Sequence, residues 1–146
     1  MLRLLSDLRA IKNDPPEGCS ASPCSEDNLY VWAASICGPA DSAWEGGIFS
    51  LRIAFGDAYP SRPPSVRFAS EVFHPNVYRD GSVCLDILQD RWSPVHSVGT
   101  ILTSLRSLLE DPNLASPANP EAAALLRADP AAYHKRVRRL AQRSLE

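Results

Sequence analysis

The chain changes its hydrophobic period once, and that change limits the folds open to it. Residues 48–55, IFSLRIAF, set Phe49, Leu51, Ile53 and Phe55 on one side and Ser50 and Arg52 on the other. A period of two fits a strand with one buried face. LYVWAASIC (29–37) repeats the pattern with Tyr30, Trp32, Ala34 and Ile36, and SVRFAS (65–70) reads as a further short strand. From residue 98 the period is helical. SVGTILTSLRSLLED aligns Ile101, Leu102, Leu105, Leu108 and Leu109, with Ser97 as its N-cap. Asn119-Pro120-Glu121 and Asp129-Pro130 each combine a capping side chain with a first-turn proline, predicting helices over 120–128 and 130–144. The second of these buries Tyr133, Val137, Leu140 and Ala141 and exposes Lys135, Arg136, Arg138, Arg139 and Arg143. One more helix opens the chain over residues 2–12, where Leu4, Leu5, Leu8 and Ile11 recur at helical spacing until Pro15 and Pro16 end it. Strands thus cluster between helices instead of alternating with them, which predicts an α+β fold with an antiparallel meander.

The 146 residues suit one domain, 1–146, with one core. Net charge is −2, too small for a global field toward nucleic acid or a membrane. The charge is uneven, with six Lys/Arg against two Asp/Glu between Arg127 and Glu146. That basic last helix reads as a solvated face, with a chromatin or nucleic-acid contact as the sharper alternative. No apolar run approaches a membrane span. The opening MLRLLSDLRA lacks the features of a signal peptide, so the expectation is a soluble intracellular protein. Cys19, Cys24 and Cys37 read as small buried or loop thiols. No second paired knuckle accompanies Cys19 and Cys24, so neither a zinc site nor a disulfide is expected.

Residues 76–97 show little periodicity, and long irregular segments are often functional. Cys84 stands there, separated by two residues from the Asp80-Gly81 turn in HPNVYRDGSVCLDILQDRW. A cysteine thiolate attacks carbonyls to give a thioester, and a thiol of pKa about 8.5 leaves readily. Such chemistry suits an acyl carrier. A cysteine hydrolase would also use Cys84, with a histidine base and a third group to orient it. His74, His96 and His134 are the candidates, though His74, between Phe73 and Pro75, reads as structural. On the residues alone both readings stand.

YPSRPPSVRF, HPNV, GSVCLDIL, RWSP and LEDPN resemble, in order and spacing, the ubiquitin-conjugating enzymes. The likeness runs from DLRAIKNDPP to YHKRV. Its most specific part is an HPN tripeptide, a cysteine eight residues after the Asn and a tryptophan eight residues after the cysteine. HPNVYRDGSVCLDILQDRWSP with SPANPEAA is most similar to the DNA-repair and histone-modifying branch. SUMO-conjugating members carry two extra residues between the cysteine and the tryptophan, which this chain lacks.

The resemblance implies the family's UBC fold: an N-terminal helix, a four-stranded antiparallel meander, a long irregular active-site segment and C-terminal helices. It implies that Cys84 accepts the C-terminal glycine of ubiquitin from an activating enzyme and passes it to a lysine or a ligase cysteine. Asn76 becomes an oxyanion donor or a loop anchor. Tyr78, Asp86 and Ser116 occupy positions that lie near the cysteine in the family. Tyr78 would desolvate the incoming lysine and Asp86 would orient it, with loop capping as the alternative for Asp86. Ser116 stands where many members have Asp, and precedes Pro117, as a proline-directed phosphorylation site would.

Implied partners are ubiquitin, the activating enzyme at the first helix (Arg3, Arg9 and Lys12), a RING-type ligase at PSRPP and WSP (Arg62, Pro63, Ser93 and Pro94), and a substrate lysine. Neither a membrane nor nucleic acid is an expected partner. Ser6 and Ala10 stand where the nearest branch tends to have Lys or Arg. Ubiquitin binding on the outer face of the sheet near Ser20 is a further expectation. PEGCSASPCSED departs from the family there, and in AWEGG the two glycines stay but Trp44 replaces the usual aromatic. No cofactor is implied, because ATP is consumed by the activating enzyme. The resemblance places the protein in cytoplasm and nucleus, and a chain that stops at Glu146 would lack the acidic tail of some members. Two other functions compete: conjugation of a different ubiquitin-like modifier, and non-catalytic ubiquitin binding, against which the retained Cys84 argues.

Overall fold

In the computed structural model, which describes residues 1–146, the periods read above become four helices and one four-stranded sheet. Helix α1 spans Leu2–Asn13. Strands β1 (Cys19–Ser25), β2 (Asn28–Cys37), β3 (Ile48–Ala54) and β4 (Ser65–Phe68) follow. A short 3-10 turn covers Asp86–Leu88, before α2 (Val98–Glu110), α3 (Pro120–Ala128) and α4 (Pro130–Arg143). The sheet is an antiparallel meander in the order β1-β2-β3-β4. Its register pairs Trp32 with Ile53 and Ile36 with Phe49, so the large apolar residues of neighbouring strands share one face.

That face forms the core with α1 and α2. Trp32, Ile36, Phe49, Ile53, Ile101 and Leu102 are fully buried, in a single cluster of 27 buried apolar residues. Ser97 caps α2 through Thr100 N–H, Asn119 caps α3 through Ala122 N–H and Asp129 caps α4 through Ala132 N–H. Each cap satisfies an otherwise orphaned donor of the first turn. Helix α4 buries Tyr133, Val137, Leu140 and Ala141 as its pattern predicts. No helix is long and apolar enough to cross a membrane.

The sequence pattern misses β1. Cys-Ser-Ala-Ser-Pro-Cys-Ser offers no large apolar side chain, because β1 is an edge strand whose inward positions Cys19, Ala21 and Pro23 are only half-buried. This corrects the expectation for the thiols: Cys19 and Cys24 lie in β1 and Cys37 ends β2, and Cys24 and Cys37 are exposed. Phe55 is buried as expected but lies one residue beyond β3. The strand expected over 65–70 closes at Phe68.

Candidate active site

Between β4 and α2 the chain builds a turn that holds the cysteine. Cys84 N–H donates to Asn76 O at 2.8 Å, Val77 bridges Val83, and Tyr78 N–H donates to Ser82 O at 2.9 Å. Gly81 closes the turn at φ +93, and a β-carbon there would strike the Phe68 carbonyl. Only glycine accepts both the backbone angle and the contact. Ser82 N–H and Oγ both donate to Asp80 Oδ1, at 2.9 and 2.6 Å. Those bonds hold the Asp80 carboxyl below its ordinary range. Cys84 is a free, half-buried cysteine on this turn, with its backbone fixed by a ladder bond.

His74 anchors the start of this segment. It is fully buried. Its Nδ1 accepts the Asn76 N–H at 2.9 Å and its Nε2 lies 2.7 Å from Leu108 O. An acceptor at Nδ1 makes Nε2 the donor, and so selects one neutral tautomer. Burial pushes the imidazole down to about 4, against the opposing pull of the Leu108 carbonyl. With both nitrogens engaged away from Cys84, His74 is no general base. The other two rings lie against Trp92 (His96) and Tyr133 (His134). The histidine-assisted geometry of a cysteine hydrolase is therefore not built here.

Asn76 is also buried, and its side chain braces a second loop. Nδ2 donates to Asn113 O and Oδ1 accepts Asn113 N–H, both at 2.8 Å. Pro75 O accepts two further amides of that loop, Ala118 N–H at 2.7 Å and Asn119 N–H at 3.0 Å. The HPN turn thus fixes the segment 111–119 at both ends. Ser116 sits exposed between the two anchors, while Tyr78 and Asp86 lie exposed two residues beyond Asn76 and Cys84. The Asp86 carboxylate accepts Ile87 N–H at 2.7 Å, and Asp86 is the first residue of the short 3-10 turn. Of the expected catalytic set, Asn76 and Cys84 are bonded directly and Ser116 is linked to them through Asn113.

The expected partner surfaces divide. Arg9 and Lys12 are exposed on α1. Arg3 departs from expectation, because its guanidinium is occupied within the molecule. Nη1 donates to Pro94 O at 2.8 Å, Nη2 to His96 O at 2.6 Å and Nε to Asp7 Oδ1 at 3.1 Å. Buried Asp7 also accepts the hydroxyl of Tyr59, whose phenol is raised by burial and by that bond. Arg3 therefore staples α1 to the loop expected to meet a ligase. The two expected ligase loops are joined as well, since Trp92 Nε1 donates to Pro60 O at 2.9 Å. Arg62 and Pro94 are exposed there, and Pro63 and Ser93 are half-buried.

Asp7, Tyr59 and Asn113 were missed as site residues. The spacing of Arg3 and Asp7, one helical turn apart, signals an ion pair, but nothing in sequence signals the 91-residue reach to Pro94. No three His, Cys, Asp or Glu side chains are grouped to hold a metal ion.

A family model described as "Ubiquitin-conjugating enzyme" matches residues 3–141. Similar curated proteins include "Ubiquitin-conjugating enzyme E2 2" of Neurospora crassa, 53% identical over 144 residues, which are 99% of this chain and 95% of that one. The protein of that name in Saccharomyces cerevisiae is 52% identical, over 99% of this chain and 83% of its own. The one in Mycosarcoma maydis is 53% identical over 136 residues, 93% and 73% of the two chains.

Proposed function

The chain belongs to the ubiquitin-conjugating enzyme family, and from that premise we propose that Cys84 is the residue on which it carries ubiquitin. The observation that carries this assignment is a free, half-buried Cys84 on a turn locked by the bond of its own amide to Asn76 O.

Loading exchanges one thioester for another. The Cys84 thiolate attacks the carbonyl carbon at the C-terminus of ubiquitin, and the bond from that carbon to the activating enzyme's sulfur breaks. Bond type is conserved, so the step needs no strong base beside Cys84. Transfer forms an amide bond from a lysine nitrogen to the same carbon, breaks its bond to Cys84 Sγ, and releases a proton from the amine to solvent or to the departing sulfur. A free lysine has a pKa near 10.4, and removing it from water lowers that value. Tyr78, 45% exposed beside the turn, is the residue assigned to cover the lysine stem.

Asn76 acts first as a brace, since both ends of its amide are bonded to Asn113. The second hydrogen on its Nδ2 leaves it able to donate to an oxyanion as well. Asp86 is assigned to orienting the amine. Arg9 and Lys12 are assigned to the activating enzyme, and Arg62, Pro63, Ser93 and Pro94 to a RING-type ligase. Unchanged ligase-stimulated discharge in Arg62→Ala would remove that surface from the assignment.

A charging assay tests the carrier. Activating enzyme, ATP and ubiquitin should give a species one ubiquitin heavier that disappears on thiol treatment and fails to form with Cys84→Ala. Loading of a different modifier instead would keep the family and change the cargo. A wild-type protein that loads no modifier would leave two readings, an activating enzyme mismatched to the altered first helix or a binding module.

A further inference from the structure

Beside the cysteine turn lies a groove of about 520 Å³ into which four arginines project. Two of them are matched by carboxylates. Arg136 pairs with Glu121 at 2.7 Å and lies 3.7 Å over the Phe73 ring, while Arg143 pairs with Glu71 at 3.6 Å. Arg79 and Arg139 also line the groove and take part in none of the protein's four ion pairs. Both are exposed. The groove thus has two cations to spare, in a chain whose net charge is −2.

Its location ties it to the reaction. Arg79 follows Tyr78 in the same turn and is three residues from Asn76, whose carbonyl holds the Cys84 amide. Asn119, whose amide is bonded to Pro75 O, lines the other side. Three residues of extended chain span roughly 10 Å. A peptide presenting its lysine at Cys84 can extend its neighbouring side chains toward the turn that carries Arg79. Guanidinium groups bind carboxylates in a paired fork geometry, which gives direction as well as attraction.

Resting on the assignment of Cys84 as the ubiquitin carrier, we propose that this groove selects substrate lysines flanked by acidic residues, with Arg79 and Arg139 as the reading side chains. An acidic peptide fits better than nucleic acid. Duplex DNA presents a negative charge about every 1.7 Å, and that array would run over Glu71 and Glu121. Two or three spaced carboxylates reach the unmatched arginines and avoid both.

The test uses fluorescent peptides containing a single lysine, one flanked by Asp and Glu and one by Ser and Gln. Wild-type protein and the Arg79→Glu/Arg139→Glu variant are compared by fluorescence anisotropy and by discharge of ubiquitin from Cys84 to each peptide. The wild type should bind and modify the acidic peptide about fivefold better, as two exposed ion pairs allow, and this preference should fade with salt. The double variant should lose it and favour a peptide with Lys and Arg flanks, while loading and discharge to free lysine stay at wild-type rates. Equal wild-type rates on the two peptides would overturn the proposal, as would a preference that survives charge reversal. Tighter binding of a short DNA duplex than of the acidic peptide would also overturn it and give the groove to nucleic acid. Should ubiquitin fail to load, the carrier assignment falls, and anisotropy alone still decides the fate of the groove.

Discussion

The main-chain carbonyl of Asn76 holds the amide of Cys84 at 2.8 Å, while the side chain of the same asparagine holds both peptide groups of Asn113 at 2.8 Å. One residue therefore positions the thiol and tethers the loop that carries Ser116. Backbone and side chain of Asn76 make separable contributions, and substitution removes only the second.

Asn76→Ala should leave the Cys84 ladder bond intact and free the 111–119 loop. Two part-buried polar groups of Asn113 lose their partners, a cost of about 1–3 kcal/mol. The urea midpoint should fall, and amides of the loop should exchange faster with deuterium. Discharge to lysine should drop further than loading does. Wild-type stability combined with a roughly hundredfold loss of discharge would instead mark the side chain as an oxyanion donor.

His74 makes stability depend on pH. Burial lowers its pKa to about 4 from the ordinary 6.5, so between those values the unfolded chain binds a proton that the folded protein refuses. Stability from this group is complete above about pH 6.5 and is lost as pH falls toward 4, by about 3 kcal/mol in all. Urea midpoints measured across that window should show this slope, and His74→Gln, though less stable at pH 7, should show a shallower one. Parallel slopes for the two proteins would assign the acid sensitivity to other groups.

Removing the Arg3 staple should separate two activities. In Arg3→Ala the carbonyls of Pro94 and His96 lose their donors and Asp7 keeps only Tyr59. Loss of stability of about 1–3 kcal/mol is expected. Ligase-stimulated discharge should fall severalfold more than unstimulated discharge, because the 93–96 loop loses its tie to α1. Equal effects on both rates would confine Arg3 to a role in stability.

Ser116 is exposed on the loop that Asn76 tethers. A phosphate there would add about −1.5 to −2 charges. Ser116→Asp should discharge to free lysine faster than Ser116→Ala, by a few-fold in single-turnover assays. Equal rates would exclude a carboxylate-like role at this position.

The parts of the fold that bury large side chains were legible in the sequence. β2, β3, α2 and α4 each show a period because their apolar residues line one core. β1 was silent because an edge strand covered on one side by half-buried small residues needs no such pattern. For the site, the spacing of His74, Asn76 and Cys84 was readable as a motif. What the side chains bond to was not: the reach from Asn76 to Asn113 and from Arg3 to Pro94 comes from the way the core brings distant segments together. Arg3 shows the consequence most plainly, since its place on an exposed-looking helical turn predicts a docking cation and its geometry makes it an internal clamp.

β1 has one further consequence, for behaviour at high concentration. An unpaired strand edge invites another molecule to extend the sheet. Here that edge includes Pro23, which has no amide hydrogen, and its register slips between Pro23 and Ser25. Glu26 and Asp27 then place two charges at the turn. Strand-to-strand growth of fibrils from the native state is frustrated at this edge, so the serine-rich face beside it can stay wet and open without becoming a seed for self-association.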